Sequence, residues 1–198
     1  MKRILLVCTG NTCRSPMAEA LFRSMAQAEN VDVEVRSAGV YAVDGMPMSE
    51  NAAQVLREKG VDPGSFRSSQ LTGEMVQWAD TILTMTSRHK RQLLEMHPEA
   101  AEKTFVLKEY AGIDPETERL IREREQLVAD LQLKIALKEA ITDEERARLE
   151  EYDRLIPNMD IPDPIGGSKE RYMKTADLIE AAIRDILERM KEEPVKEN

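Results

Sequence analysis

The sequence predicts an α/β fold in which a parallel sheet is covered by helices on both faces. Short apolar runs alternate with segments whose apolar residues recur every three or four positions, the pattern of strands followed by helices. The first run is continuously apolar, as in a strand buried on both faces. Ligands of such sheets bind beyond the carboxyl ends of the strands, and Cys8 occupies that position.

The elements can be placed in order along the chain. Residues 3–7 form the first strand, and a polar loop from Cys8 to Ser15 leads into a helix with Ser15 as its cap and Pro16 at its first position. Gly60 is expected to end a later helix. The other predicted elements are strands at 31–40, 81–85 and 104–107, and helices at 49–59, 72–79, 87–97 and 168–191.

The segment 114–156 interrupts this alternation. It carries 13 acidic and 8 basic residues, and its leucines keep helical spacing. Thr142 begins a capping box for a second helix, so we expect a helical hairpin inserted into a single domain spanning 1–198. Two functions remain open for it: a solvated extension of a loop, or a lid or docking arm. A short tail, 192–198, is expected to fray.

Composition narrows the classes of function. A formal charge of −9 disfavours binding to nucleic acid or to an anionic membrane surface. The early apolar run is too short for a signal peptide or a membrane span, so a cytoplasmic location is expected. The two cysteines, Cys8 and Cys13, lie within one short segment, which indicates chemistry rather than a disulfide framework. With His89 and His97 far away in sequence, no metal site is expected.

The loop after the first strand combines the features of a phosphate site. Gly10 is expected to permit a tight turn, and the helix N-terminus supplies N–H groups and positive potential. The same field stabilises a thiolate, so Cys8 is expected to be a nucleophile. Arg14 can grip two phosphate oxygens, and Asn11 suits a left-handed position and can brace the loop. No nucleotide-binding glycine pattern is present.

A resemblance to a known family rests on three stretches. The run Cys-Thr-Gly-Asn-Thr-Cys-Arg-Ser-Pro-Met-Ala-Glu-Ala from Cys8, the run Arg-Ser-Ala-Gly from Arg36, and Asp163-Pro164 resemble the low-molecular-weight protein-tyrosine phosphatases. The resemblance covers about 1–112 and 158–192. It implies a four-stranded parallel sheet and a two-step reaction without metal or other cofactor. The implied phosphate-binding residues are Thr9, Gly10, Asn11, Thr12, Cys13 and Ser15, beside Arg14.

The resemblance also implies the roles of nucleophile and acid. Cys8 attacks phosphorus while Asp163 protonates the leaving group, and Asp163 then activates water to hydrolyse the phosphocysteine. Pro162 and Pro164 flank Asp163 and stiffen the backbone there. Asp160, three residues earlier, remains an alternative acid.

Two positions bear on the phosphorylated residue. Thr12 matches the bacterial protein-arginine phosphatases, a branch of the family, where phosphotyrosine enzymes carry a bulky aliphatic residue. Ile165 follows Asp163-Pro164, where tyrosine phosphatases tend to have aromatic walls and the arginine phosphatases have phenylalanine. Tyr41 is a further candidate wall. The sequence therefore favours phosphoarginine in protein substrates, with phosphotyrosine as the alternative.

Other functions of this fold are less favoured. Arsenate reductases need further cysteines downstream, and none follows Cys13. A phosphoprotein-binding module without catalysis is disfavoured because Cys8, Arg14 and Ser15 occur together with an acid. Cys13 is either a buried loop residue or the partner of Cys8 in a reversible disulfide that protects the nucleophile from deeper oxidation.

Overall fold

The computed structural model describes residues 1–192, and residues 193–198, most of the tail expected to fray, lie outside it. The strands are β1 (Lys2–Cys8), β2 (Val33–Gly39), β3 (Thr81–Thr84) and β4 (Thr104–Val106). The helices are α1 (Arg14–Ala28), α2 (Glu50–Glu58), α3 (Gly73–Trp78), α4 (Ser87–Met96), α5 (Leu107–Ala111), α6 (Pro115–Ala136), α7 (Asp143–Leu155) and α8 (Lys169–Glu192), with a 3₁₀ helix at Pro98–Lys103.

The four strands form one parallel sheet in the order β2-β1-β3-β4, which confirms the predicted fold class. Cys8 pairs in register with Gly39, and Val7 pairs with Thr84. The central strand β1 therefore ends beside the carboxyl ends of β2 and β3, and the loop that follows it emerges between them.

The side chains of β1 alternate between two apolar layers. Ile4 and Leu6 face a core built with α1 and α8, whereas Leu5 and Val7 face one built with α3 and α4. All four are fully buried. Because both faces of β1 are covered, its apolar run is continuous and its direction toward the loop is rigidly held.

The structure differs from the prediction at the end of β4. The strand predicted at 104–107 ends at Val106, and Leu107 begins α5, a short helix that the periodicity did not indicate. Leu107 and Ala111 are both buried, four residues apart, so a single helical turn suffices to bury them. A segment this short carries too few periodic positions to be recognised.

Residues 113–158 form a compact unit of their own, and residues 1–112 with 159–192 form the other. In the smaller unit, α6 and α7 lie where the two hairpin helices were predicted. Thr142 and Glu145 form the predicted capping box at the start of α7. Leu131 and Tyr152 are buried, whereas Ile135 is exposed.

Within residues 1–192, no helix is long and apolar enough to cross a bilayer. The same residues contain no group of three or more histidine, cysteine or acidic side chains placed to hold a metal ion.

Candidate active site

The loop between β1 and α1 closes around the sulfur of Cys8. The Asn11 backbone N–H donates to Sγ at 3.3 Å, and the Ser15 hydroxyl lies 3.0 Å from the same atom. Cys8 is 3% exposed, so few water molecules can replace these contacts. A thiolate at this position would accept both hydrogen bonds, which favour the charged form of sulfur.

Backbone groups from outside the loop hold its carbonyls. Val40 N–H donates to the Cys8 carbonyl and Tyr41 N–H to the Thr9 carbonyl, both at 2.9 Å. Ser49 N–H, at the cap of α2, donates to the Thr12 carbonyl at 2.8 Å. Fixing the carbonyls in this way is what allows consecutive N–H groups of a loop to converge on an anion.

Asn11 is the left-handed residue of the loop, as predicted, with φ of 53°. Its amide nitrogen donates to the hydroxyls of Ser15 and Ser37, both at 2.8 Å, and its amide oxygen accepts from Ser69 N–H at 2.8 Å. Because Asn11 is fully buried, each of these partners replaces a lost contact with water. The predicted bracing of the loop by this side chain is confirmed.

The glycine that the loop requires is not the one expected. Gly10 was predicted to permit the turn, but its backbone is not left-handed and a Cβ there would meet only Thr12 Oγ1, at 3.9 Å. At Gly39 a Cβ would lie 2.4 Å from the Thr9 carbonyl oxygen and 3.0 Å from Asn11 N. The end of β2 must therefore be glycine for the loop to approach it.

The start of α1 also differs from the prediction. The helix begins at Arg14, with Cys13 at the cap position and no side-chain cap, rather than after a Ser15 cap. The Ser15 hydroxyl is engaged inside the loop with Asn11 and Cys8, so it does not cap the first turn. Helix N–H groups without a side-chain cap suit an anion.

Arg14 and Asp163 form an ion pair although 149 positions separate them in the sequence. Arg14 is 5% exposed, and its guanidinium donates to the Ile161 carbonyl at 3.2 Å and to Asp163 Oδ2 at 2.7 Å. The second oxygen of Asp163 accepts from Ile165 N–H at 3.2 Å. The acid predicted from the resemblance therefore lies beside the phosphate-gripping arginine.

Asp160, the alternative acid, is engaged elsewhere. Its carboxylate accepts from the Ser87 backbone N–H at 2.7 Å and lies 3.5 Å from the Ser87 hydroxyl, at the first turn of α4. A carboxylate bound to helix N–H groups is suited to stabilising the helix start. The geometry thus favours Asp163 over Asp160 as the group that faces the loop.

His89 supports the rim of the loop, a contact that the sequence did not reveal. Its Nε2 lies 2.7 Å from Thr9 Oγ1, and its Nδ1 lies 3.0 Å from Thr86 Oγ1. Burial, with a smaller contribution from the charge of Arg14, lowers the pKa of His89 to about 4. The ring is therefore neutral at physiological pH and can donate through one nitrogen while accepting through the other.

Cys13 is buried at the cap position of α1. Its Sγ lies 3.4 Å from the Ser49 hydroxyl and 3.3 Å from the Tyr172 hydroxyl. Burial and the contact with Cys13 raise the pKa of Tyr172 above its ordinary value, so this phenol stays protonated. Thr12 is partly buried, and its hydroxyl lies 3.7 Å from the Cys13 sulfur.

The sequence alone did not identify four residues that complete the loop. Ser37 and Gly39 lie in the run Arg-Ser-Ala-Gly that carried part of the resemblance, so a signal for them was present but not its physical meaning. His89 and Tyr172 lie 80 and 159 positions from their partners, and no local pattern links such distant residues.

Together these groups provide a nucleophile, an anion cradle and a neighbouring carboxylate. The sulfur is oriented by two donors, the guanidinium is fixed at one side, and Asp163 is 45% exposed and so can reach solvent or a leaving group. This combination suits covalent catalysis on an anionic ester or amide of phosphate.

Comparisons with known proteins agree with this chemistry. A family model described as low molecular weight phosphotyrosine protein phosphatase matches residues 3–123 and 119–196. A protein-arginine-phosphatase of Bacillus subtilis (strain 168) is 33% identical over 190 residues, covering 96% of this chain and 97% of that protein. One from Geobacillus stearothermophilus is 51% identical over 110 residues, covering 56% of this chain and 72% of that protein. The solved structure of an arginine phosphatase from Geobacillus stearothermophilus has a TM-score of 0.72 and 35% identity, covering 100% of this chain and 98% of that one.

Proposed function

The chain belongs to the low molecular weight phosphotyrosine protein phosphatase family, and from this premise we propose that it hydrolyses phosphoarginine in proteins through a phosphocysteine on Cys8. The observation that carries the chemistry is the Cys8 sulfur held by Asn11 and Ser15, in the loop whose Arg14 pairs with Asp163. Arginine as the phosphorylated residue is supported by two similar proteins that are named protein-arginine-phosphatase.

In the first step the Cys8 thiolate attacks phosphorus and the bond from phosphorus to the substrate nitrogen breaks. The loop N–H groups and the Arg14 guanidinium bind the phosphoryl oxygens, and the fixed fork of Arg14 can take two of them. Asp163, in its protonated form, delivers its proton to the leaving guanidine nitrogen. The products of this step are the phosphocysteine, the Asp163 carboxylate and arginine, whose guanidinium carries the proton that Asp163 gave up.

In the second step water attacks phosphorus and the bond to sulfur breaks. Asp163, now ionised, takes a proton from that water, and phosphate leaves. The Ser15 hydroxyl, 3.0 Å from the Cys8 sulfur, stabilises the thiolate as it departs. The same carboxylate thus acts as acid and then as base, and the enzyme returns to its starting form.

Thr12 supports the assignment of arginine. Its backbone carbonyl is held by Ser49 N–H, and its side chain is partly buried at the loop. A threonine at this position leaves a polar hydroxyl where an isoleucine would present only apolar surface. That hydroxyl can contact a polar guanidinium or the attacking water.

The groups around Asp163 also suit a cationic substrate. The side chain of Asp163 is 45% exposed, and a carboxyl oxygen there can accept a hydrogen bond from a guanidinium N–H group. Ile165, which follows in the same loop, is 67% exposed and offers an aliphatic wall rather than an aromatic one. The loss of stacking disfavours a phenol ring by about 0.5–1.5 kcal/mol.

Phosphotyrosine is the second candidate substrate. Tyr41 is 63% exposed, and its backbone N–H donates to the Thr9 carbonyl, so this residue lies beside the loop. A ring at that position can stack on a phenol. The description of the family model also names phosphotyrosine.

We further propose that the protein works in the reducing cytoplasm. There, Cys13 would make inactivation of the enzyme by peroxide reversible. Peroxide converts the Cys8 thiolate to a sulfenic acid, and the Cys13 thiol displaces water to form a disulfide. Dithiothreitol should then restore wild-type activity but not that of Cys13→Ala, in which Cys8 oxidises further. Full recovery of Cys13→Ala would contradict the protective role.

The proposed substrate is tested by comparing phosphate release from arginine-phosphorylated and tyrosine-phosphorylated forms of one peptide. We expect a higher kcat/KM for phosphoarginine, and we expect Thr12→Ile to shift the ratio toward phosphotyrosine because it replaces the hydroxyl with apolar surface. Cys8→Ser serves as the blank. A wild-type preference for phosphotyrosine would overturn the arginine assignment while leaving the phosphatase assignment in place.

A further inference from the structure

A line of hydrogen bonds connects the Cys8 sulfur to a carboxylate on α1 that the proposed reaction does not use. From the sulfur it runs through the hydroxyl of Ser15, the amide of Asn11 and the hydroxyl of Ser37 to Glu19 Oε2. The four side chains beyond the sulfur are all buried, Asn11 and Ser15 completely and Ser37 and Glu19 to 6% and 7% exposure.

The direction of each hydrogen bond is fixed by its ends. Ser69 N–H must donate to the amide oxygen of Asn11, so the nitrogen of Asn11 faces Ser15 and Ser37 and donates to both. At the other end an ionised Glu19 can only accept, so the Ser37 hydroxyl donates to it, at 2.5 Å, and presents a lone pair to Asn11.

These directions decide which hydrogen bond the Cys8 sulfur receives. The Ser15 oxygen accepts from Asn11, so its own hydrogen is available for the Cys8 sulfur at 3.0 Å or for the Ala38 carbonyl at 3.4 Å. A thiolate is the nearer acceptor and carries the charge, so the hydrogen points to sulfur. Because the Asn11 nitrogen donates to both serines, Glu19 acts by fixing which way the Ser37 hydroxyl and the Asn11 amide face.

We propose that Glu19 is a positioning residue that, acting through Ser37, Asn11 and Ser15, directs a hydrogen bond onto the Cys8 thiolate. Glu19 touches neither substrate nor sulfur, and its other oxygen pairs with Arg23 at 2.6 Å. Burial raises the pKa of Glu19, while the Ser37 hydroxyl and Arg23 oppose that rise by stabilising the carboxylate. The inference deepens the proposed function, since it concerns the proposed nucleophile.

Two mechanisms predict opposite signs when the charge on Glu19 is removed. Acting only through space, a carboxylate repels a thiolate, so Glu19→Gln would make the thiolate form at lower pH. Acting through the hydrogen bonds, the acceptor-only carboxylate keeps the Ser37 hydroxyl pointed at Glu19 and its lone pair at Asn11. The amide in Glu19→Gln can donate to Ser37 instead, so the hold on Asn11 and Ser15 loosens and the thiolate would form only at higher pH. The sign therefore separates a positioning role from a purely electrostatic one, and a merely structural role predicts no change in a folded variant.

The test measures the pH midpoint for alkylation of Cys8 by iodoacetamide, a readout that does not depend on phosphatase activity. Trypsin releases residues 4–14 as one peptide, and its fragment ions distinguish Cys8 from Cys13. We expect Glu19→Gln to move the midpoint upward by about 0.5–1 pH unit. Circular dichroism and thermal melting establish that the variant is folded.

Three further variants complete the test. Ser37→Ala retains the carboxylate but removes the link, so it should move the midpoint upward as well, and it decides the matter if Glu19→Gln does not fold. The double variant should add little to either single change. Arg23→Gln, the matched control, removes the exposed ion-pair partner of Glu19 and should leave the midpoint within about 0.2 pH unit.

A downward or absent shift in folded Glu19→Gln, or no shift in Ser37→Ala, would overturn the positioning role. Failure of the proposed function would look different, because wild type would then release no phosphate from either phosphopeptide while the alkylation midpoints still moved as described.

Discussion

Polar side chains are used differently in the loop that follows β1 and in the hairpin of α6 and α7. In the loop, Asn11 and Ser15 are completely buried and are bonded to protein groups. In the hairpin, ion pairs such as Arg124 with Asp153 lie at the surface, with side chains 38% and 52% exposed. Both regions are rich in hydrogen bonds, but the hydrogen bonds of Asn11 and Ser15 are shielded from water and the ion pair of Arg124 with Asp153 is not.

This difference determines how each region responds to substitution. Removing one partner of a buried hydrogen bond leaves the other unsatisfied, at a cost of about 1–3 kcal/mol, and misplaces the groups that it held. Removing one partner of an exposed ion pair returns the other to water, at a cost of about 0–1 kcal/mol. We therefore expect chemistry to depend on single atoms in the loop and the hairpin to tolerate change.

The largest expected effect is that of Asp163→Asn. Asparagine can still lie beside Arg14 but cannot transfer a proton, so kcat should fall by about 10²–10⁴-fold while inhibition by inorganic phosphate is not weakened. Steady-state kinetics on a phosphopeptide with added phosphate measures both quantities.

Asp160→Asn is the matched control for that change. Since the Asp160 carboxylate accepts from Ser87 N–H at the start of α4, we expect its loss to lower the melting temperature by a few degrees while kcat stays within about threefold. If Asp160→Asn abolished turnover and Asp163→Asn did not, the assignment of the acid would be wrong.

An intermediate effect is expected at His89, through the pH dependence of stability. Burial lowers the pKa of His89 to about 4, below the ordinary value of 6.5, so the folded state binds its proton less tightly than the unfolded state. Its contribution to stability is complete above pH 6.5 and is lost as pH falls toward 4. The difference between the two pKa values of His89 corresponds to about 3 kcal/mol of unfolding free energy. Solvent screening reduces this contribution to about 1–2 kcal/mol.

The variant His89→Gln tests this contribution. Its free energy of unfolding, measured by urea titration, should fall less steeply between pH 7 and pH 4.5 than that of wild type. Glu19 titrates in both proteins, so the difference in slope isolates His89. Identical slopes would show that His89 is not held in its neutral form.

The smallest effect is expected in the hairpin. Arg124→Gln removes the ion pair with Asp153 at the surface, and we expect a change in melting temperature below about 3 °C and no change in kcat. Thermal melting and phosphate release measure the two quantities. A large loss of turnover in this variant would break the contrast between the two regions and would favour the lid or docking arm over the solvated extension.

Patterns within one element could be predicted from the sequence, whereas relations between distant elements could not. The strand at β1, the left-handed Asn11 and the capping box at Thr142 each depend on neighbouring residues, and each is confirmed. The glycine that the loop needs, Gly39, was missed because it depends on where β2 ends in space.

The same reason explains the misassigned cap. Ser15 before Pro16 has the local pattern of a helix start, but tertiary contacts with Asn11 and Cys8 take its hydroxyl, and the helix begins two residues earlier. Locally favoured roles are overridden where buried polar groups need partners, and such sites are concentrated in the loop.

Rapid acid quenching can show whether Cys8 carries the phosphoryl group during turnover. Wild type and Asp163→Asn are mixed with an arginine-phosphorylated peptide, quenched within milliseconds and digested, and the phosphorylated residue is located by mass spectrometry. We expect a phosphoryl group on Cys8 in both proteins, and we expect Cys8→Ser not to turn over at the wild-type rate. A phosphoryl group on another residue, or wild-type turnover by Cys8→Ser, would contradict it.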